Sequence, residues 1–299
     1  MSKGVIAAVS AAFCAGTIPI FTKFMLSGGL TPVAVLFYRY LSIVIILGVS
    51  FLMRKKNICV TGKQFLSLIF FTVFGYGGAT LLLAISLNFL SVGLSTMLYF
   101  TYPLFVMMIM IFFFKEKPTW IKVVSLFATV FGIICLMNFD KRVFTVGSLL
   151  AIGAGLAYSV YLVGIRKSAL KELENRTIVF YLSAISTILF LGQGLLMEIP
   201  NFLTISPLNL LYGALLGIIT IFVLSVVTYA IKTIGPTKTS LIISFEAVVS
   251  LILGILIFAE PYNINTWIGS ILMTAAVILM TREGEKEENE EALRCDTHL

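Results

Sequence analysis

Residues Ser91–Glu116 read SVGLSTMLYFTYPLFVMMIMIFFFKE, and residues Gly235–Glu260 read GPTKTSLIISFEAVVSLILGILIFAE. Each stretch starts in a short polar turn, passes through small hydroxyl residues, enters an apolar run and stops at a glutamate. Few identities survive between them: Ile111 with Ile255, Phe114 with Phe258, Glu116 with Glu260. The order of residue types carries the likeness. The first copy holds Tyr102 and Pro103 in its middle, where the second holds Glu246 and Ala247. Two related apolar helices, only one of which carries an acid at its centre, decide the fold class and point to the chemistry.

The rest of the chain has the same character. Its 299 residues are 59% hydrophobic and 12% charged, with a mean hydropathy of +1.06, more apolar surface than a water-soluble domain can hide. Apolar runs of about 20 residues are bilayer-crossing helices, because a helix rises about 1.5 Å per residue through about 30 Å of hydrocarbon. Strands crossing a membrane would show alternation of apolar and polar residues, and none is visible. The fold class is therefore an all-α polytopic membrane protein. A net charge of +7 could suggest nucleic acid, but the basic residues sit in short loops, as orientation signals do. The expected surroundings are the lipid bilayer and a small-molecule substrate, with no nucleic acid. Cys14, Cys59, Cys135 and Cys295 show no ligand spacing, and reduced thiols are expected. The first apolar run is too long for a cleavable signal and lacks a small-residue exit, so it reads as a retained span.

Ten spans are expected, near 4–25, 30–53, 65–87, 93–114, 119–138, 147–166, 177–197, 208–231, 238–259 and 264–281. With the N-terminus in the cytoplasm, the inner segments hold Lys3, Arg54, Lys55, Lys56, Lys63, Lys115, Lys117, Arg166, Lys167, Lys171, Arg176, Lys232, Lys238, Arg282, Lys286 and Arg294. The outer loops hold only Lys141 and Arg142. This bias puts both termini in the cytoplasm of a cell (inner or plasma) membrane. The repeat also extends beyond the opening pair: Val35–Tyr38 resembles Ile178–Tyr181, and Gly4 corresponds to Gly147, an offset of 143 that becomes 144 later. Five spans per half is an odd number, so the second half enters from the opposite side. The plan is an inverted-topology repeat, frequent in secondary transporters. The halves are residues 1–143 and 144–281, followed by a charged tail, 282–299.

At this point the chain resembles the EamA family of the drug/metabolite transporter superfamily. The residues carrying the likeness are TPVAVLFYR at the start of the second span, the block SVGLSTMLYFTYP…KEKPTWIKVV…GIICL, and its partner IGPTKTSLIISFEAVV…FAEPYNINTWIG. Pro103 and Glu116 match the family's marks in the first copy, and Glu246 and Glu260 match them in the second. Ala247 stands where proline is usual, a departure expected to leave the ninth span straighter than the fourth. The resemblance implies ten helices around a central cavity, with the fifth and tenth peripheral. It also implies transport of small organic solutes, often export of amino acids or other metabolites, with no tightly bound cofactor.

Arg39 lies nine residues from Leu30, about 13 Å from the outer edge of its span. A charge there costs at least ~2.5 kcal/mol on insertion scales, so it should face a cavity or a partner. Its repeat counterpart is Leu182, so the scaffold does not demand the charge. Arg39 either docks an anionic portion of substrate, which its fork suits, or is tied up internally. Glu246 is the acid well inside a span, about 12 Å from Lys238 at the cytoplasmic edge. It either recognises an ammonium group or exchanges a proton during transport, or it forms a permanent pair with Arg39.

Tyr99 and Tyr102, and likewise Tyr158 and Tyr161, are spaced i, i+3 on shared helix faces. They suit the wall of a cavity for an amphipathic solute or, equally, ordinary packing. Tyr76 in the sequence GYGG marks irregular backbone or close helix approach. Pro19 and Pro103 should kink their helices and are candidate hinges; since their counterparts are Leu162 and Ala247, kinks are expected in the first half only. Thr17 and Ser244 either bond substrate or satisfy freed backbone groups. Lys23 is expected to snorkel, and Glu116 and Glu260 to act as caps or loop ion pairs. Gly213 and Gly217 form a GxxxG, read as packing.

The sequence thus points to a secondary transporter of a small polar or zwitterionic, amino-acid-like solute, working as an exporter and existing as a monomer or homodimer. The rival is a non-transporting scaffold or sensor, for which the short tail offers little. An enzyme would want a catalytic constellation at depth, and only one buried acid and no buried histidine are present.

Overall fold

The structure is a computed structural model that describes residues 3–55, 58–86, 89, 92–117, 119–136, 146–197, 202, 205–258, 264–265, 267–269, 271–272, 274–276 and 278–279. Glu260, Lys141, Arg142, Cys295 and the tail, 282–299, lie outside the described residues.

Among the described residues the secondary structure is helical throughout. The helices are α1 (Lys3–Ala15), α2 (Ile18–Ser27), α3 (Pro32–Met53), α4 (Gly62–Phe70), α5 (Gly77–Ser86), α6 (Val92–Tyr99), α7 (Tyr102–Phe114), α8 (Trp120–Leu136), α9 (Val146–Lys167), α10 (Asn175–Leu196), α11 (Pro207–Ile234), α12 (Pro236–Ile243) and α13 (Glu246–Phe258). Counted across their internal breaks, seven helical stretches among the described residues are long and apolar enough to cross a membrane; Tyr102–Phe114, Trp120–Gly132 and Trp267–Ala276 are shorter apolar helices. Large apolar side chains such as Leu52, Phe113 and Leu196 are exposed on the outer faces, an arrangement suited to lipid rather than water.

Local chemistry sets the helix ends. Thr31 accepts from the Ala34 amide at 3.3 Å, with Pro32 in the first turn. Thr61 and Gln64 form a reciprocal capping box on α4. Ser206 caps α11 through the Asn209 amide at 3.2 Å, and the Asn209 side chain donates to Gly28 O at 3.1 Å. That last bond ties the turn after α2 to the start of α11.

The two halves interlock. α9 packs on α5, α6 and α7, while α1 packs on α11, α12 and α13; α3 lies against both α10 and α11. The GxxxG pair does pack: a Cβ on Gly217 would stand 2.7 Å from Ser42 Cβ, and one on Gly213 3.4 Å from Tyr38 Cβ. α8 rests mainly against α6, α7 and α12.

The first span breaks at Gly16–Thr17, close to Pro19, as expected. There the Thr17 amide and hydroxyl both donate to Cys14 O, at 3.1 and 2.7 Å. At the break between α6 and α7, the Thr101 amide and hydroxyl both donate to Leu98 O, at 3.2 and 2.7 Å. Each threonine stands two residues before its proline (Thr17 and Pro19, Thr101 and Pro103). The hydroxyl and a tightened i→i−3 amide together take the carbonyl, while the proline leaves the carbonyl one residue further on without its usual amide donor.

The expectation of a ninth span straighter than the fourth, with kinks in the first half only, is overturned. α12 and α13 part at Ser244–Phe245, in the same register as α6 and α7, although Ala247 replaces the proline. Two of the hydrogen bonds correspond directly. Phe245 N to Ile242 O (3.2 Å) matches Thr101 N to Leu98 O, and Val248 N to Phe245 O (3.0 Å) matches Leu104 N to Thr101 O (3.0 Å). Serine hydroxyls take the place of proline here: Ser240 donates to Thr237 O at 2.8 Å and Ser244 to Leu241 O at 2.5 Å. Such back-bonding bends helices.

Candidate functional site

Arg39, on α3, is 8% exposed. Its Nε donates to Thr220 Oγ1 of α11 at 2.8 Å, and its Nη2 donates to the Tyr76 hydroxyl at 3.2 Å. Tyr76 is brought there by a π-helical turn, Phe71–Tyr76, inserted between α4 and α5. The Gly77 amide closes that turn on Thr72 O, five residues back. A Cβ at Gly77 would stand 2.6 Å from the same oxygen, so a side chain cannot follow the turn. Single π turns of this kind re-aim the residues they carry, and the irregular backbone expected at GYGG is present. A Cβ on Gly75 would meet Tyr161 Cβ at 2.9 Å, so the glycine also permits close helix approach.

Glu246 opens α13, at the break. Its carboxylate lies at a helix N-terminus, where partial positive charge favours an anion. Among the described residues it makes no hydrogen bond, and no ion pair within 4.0 Å joins it to Arg39. Both nevertheless line one cavity of about 170 Å³. A water needs roughly 10–15 Å³ of such space, so the cavity holds on the order of ten water-sized groups, enough for a small solute.

The remaining walls come from α2, the start of α3, α5, α6, α9 and α11. Pro19, Tyr76, Tyr99 and Tyr158 face the cavity, together with apolar side chains including Ile18, Val35, Leu83 and Val223. The ring of Tyr158 stands 5.5 Å from Tyr99 and 6.2 Å from Tyr76. Tyr102 and Tyr161 are fully buried behind this wall, their ring centroids 5.0 and 5.9 Å from Tyr158, and they do not line the cavity. Thr17 and Ser244 also stand off it, each with its hydroxyl on a backbone carbonyl. Pro103 is buried away from it.

The lining gathers at one end of the bundle, near residues 28–31. Toward the other end, Ile165, Ile231 and Leu241 are buried. There Arg166 Nη1 donates to Ile231 O at 3.2 Å, and Lys232 Nζ donates to Leu173 O. Glu116 meets Lys122 at 3.4 Å in a loop ion pair.

The sequence pattern of the EamA-like transporter family matches residues 2–138 and again residues 145–282. The chain belongs to the EamA-like transporter family. Among this EamA chain's relatives is the uncharacterized inner membrane transporter YhbE of Escherichia coli (strain K12), 29% identical over 195 residues, 62% of this chain. YhbE of Shigella flexneri matches to the same degree. The match spans 60% of the length of these relatives. A crystal structure of a protein that is 14% identical superposes with a TM-score of 0.76, covering 94% of this chain and 98% of that one, which shows the shared fold.

The threonines of the EamA chain's cavity were not singled out from sequence: Thr22, Thr80 and Thr96 line its wall, and Thr220 accepts from Arg39. Lys23, expected to snorkel, lies at the cavity with its Nζ 3.9 Å from the centroid of the Phe258 ring. A basic residue one turn after Pro19 was a usable signal for it. For the threonines no signal was available, since hydroxyls in apolar helices usually bond their own backbone.

Proposed function

We propose that this chain is a secondary transporter exporting a small zwitterionic, amino-acid-like solute by alternating access around the Arg39–Glu246 cavity. The observation that carries the reading is that a guanidinium and a carboxylate line one intramembrane cavity without pairing. Unpaired charges at such depth are costly, and they persist where they meet a substrate or ion. Arg39 takes the solute's carboxylate through its remaining donors. Glu246 takes the ammonium, assisted by the faces of Tyr99 and Tyr158. The apolar side chains between the two poles accommodate the body of the solute.

The rest of the scheme follows from the charge bias and the repeat: ten spans in two inverted halves, residues 1–143 and 144–281, with both termini cytoplasmic. In that orientation the cavity opens outward and the Arg166–Ile231 end is the closed cytoplasmic side. Proteoliposome flux of labelled amino acids tests the assignment. Arg39→Leu and Glu246→Gln should each lower flux by at least tenfold while the purified variants stay folded and monodisperse. Full flux in either variant would remove that residue from the site.

A further inference from the structure

Of the five donors on a guanidinium, Arg39 has two engaged, Nε by Thr220 and one Nη2 hydrogen by Tyr76. The two hydroxyls thus hold Nε and Nη2, and Nη1 is left to other acceptors. The two Nη1 hydrogens, one pointing forward at the tip and one back toward Cδ, and one Nη2 hydrogen remain. Free guanidinium donors of this kind match the oxygens of a carboxylate.

The hold on Nε comes from across the molecule. Thr220 lies in the second family-matched stretch, Arg39 and Tyr76 in the first. Thr220 is fully buried. Val223 and Leu224, one turn further along α11, line the cavity, which places Thr220 at its edge. The Arg39 guanidinium carbon is 5.5 Å from the centroid of the Tyr40 ring, a further contact on the same side chain. Without the threonine oxygen, the Nε hydrogen would be a buried donor with no acceptor, a costly arrangement. The guanidinium would then turn to satisfy it, carrying its free tip away from the cavity.

We propose that Thr220 is a positioning residue for carboxylate recognition: it holds the Nε edge of Arg39 so that the tip of the guanidinium meets the substrate carboxylate end-on. This rests on the reading of Arg39 and Glu246 as the two poles of a zwitterion site. Thr220 itself does not touch the solute.

The test uses the full chain in proteoliposomes with Thr220→Val, which keeps the shape and removes the oxygen, and Thr220→Ser, which keeps the oxygen. Labelled free α-amino acids are screened on the wild type, and kinetics are taken on the one with the highest flux. Thr220→Val should raise KM about tenfold and leave the maximal rate within about twofold, as expected for a lost hydrogen bond to a charged group. Thr220→Ser should stay within about threefold of wild type. In parallel, the 15N-labelled Arg39 Nε–H resonance, assigned by its loss in Arg39→Lys, should be sharp in wild type and Thr220→Ser and exchange-broadened in Thr220→Val.

An unchanged Nε–H signal in Thr220→Val overturns the proposal, as does an unchanged KM. A serine variant as impaired as valine also overturns it, since the threonine methyl would then be what matters. If Arg39→Leu abolishes flux while Thr220→Val transports normally, only the positioning role falls. If the wild type moves no amino acid, the zwitterion reading falls and takes this proposal with it.

Discussion

A guanidinium at the depth of Arg39 costs at least about 2.5 kcal/mol on insertion scales, and that cost made it legible in the sequence, as it did Glu246. Both do reach the cavity. Thr220 was not legible for the opposite reason. A threonine costs little in an apolar helix, and its usual partner is its own backbone, as Thr72 and Thr228 show by donating to Leu68 O and Leu224 O. Nothing in residue type separates Thr220 from these; only the fold brings it to Arg39. The tyrosine pairs were legible as pairs but not as to depth. In each pair one ring faces the cavity and the other, three residues on, packs behind it.

Gly155 is a further position where one residue decides a contact. A Cβ there would stand 2.8 Å from the Tyr99 carbonyl oxygen and 3.1 Å from Thr101 Oγ1. Both neighbours belong to the break between α6 and α7, so the contact cannot relax by a side-chain rotation alone. Gly155→Val should destabilise the protein by about 1–3 kcal/mol, the usual cost of overpacking. The check is the thermal unfolding midpoint in detergent, which should fall by several degrees. An unchanged midpoint would show that α9 does not seal this break.

The breaks in the helices were read from sequence through proline, and proline was the wrong cue for one of them. The residue pairs that tighten each break are a hydroxyl and the carbonyl three residues earlier: Thr17 with Cys14, Thr101 with Leu98, Ser244 with Leu241. Thr-x-Pro occurs at the first two, and serines at the third. The second copy therefore shows what the first would do without its proline. There the Ala247 amide donates to Ser244 O at 3.1 Å, a bond that Pro103 cannot make to Phe100 O. Pro103→Ala should keep the break and gain that bond, changing stability by less than about 1.5 kcal/mol, the net worth of one hydrogen bond. A spin-label distance between positions 96 and 113 should match in the two proteins. Lengthening of that distance toward a straight helix would return the break to proline.

For the whole molecule, the one-sided cavity makes a statement about sidedness. In a cysteine-free background, Leu26→Cys at the cavity should react with a membrane-impermeant maleimide applied from outside the cell. Ile231→Cys, buried at the closed end, should not react from either side in the same state. Reaction of Leu26→Cys only from the inside would reverse the orientation read from lysine and arginine. The repeat itself was legible because corresponding turns keep their residue types over an offset of about 143. The interlocking of the halves was not, since it depends on which helix of one half fills the gap left in the other.

That interlocking sets a timetable for synthesis. α1 finishes at Ala15, yet its main partner, α11, begins only at Pro207. At roughly 5–20 residues per second, α1 waits on the order of ten to forty seconds in the bilayer before the surface it will join has been translated. The face that waits is made of Val5, Ala8, Ala11, Ala12 and Ala15, each at most 2% exposed once assembled. Small apolar residues rest in lipid without penalty and offer little to a wrong neighbour in the interval. The first helix is thus built as much for standing alone early as for its place in the finished bundle.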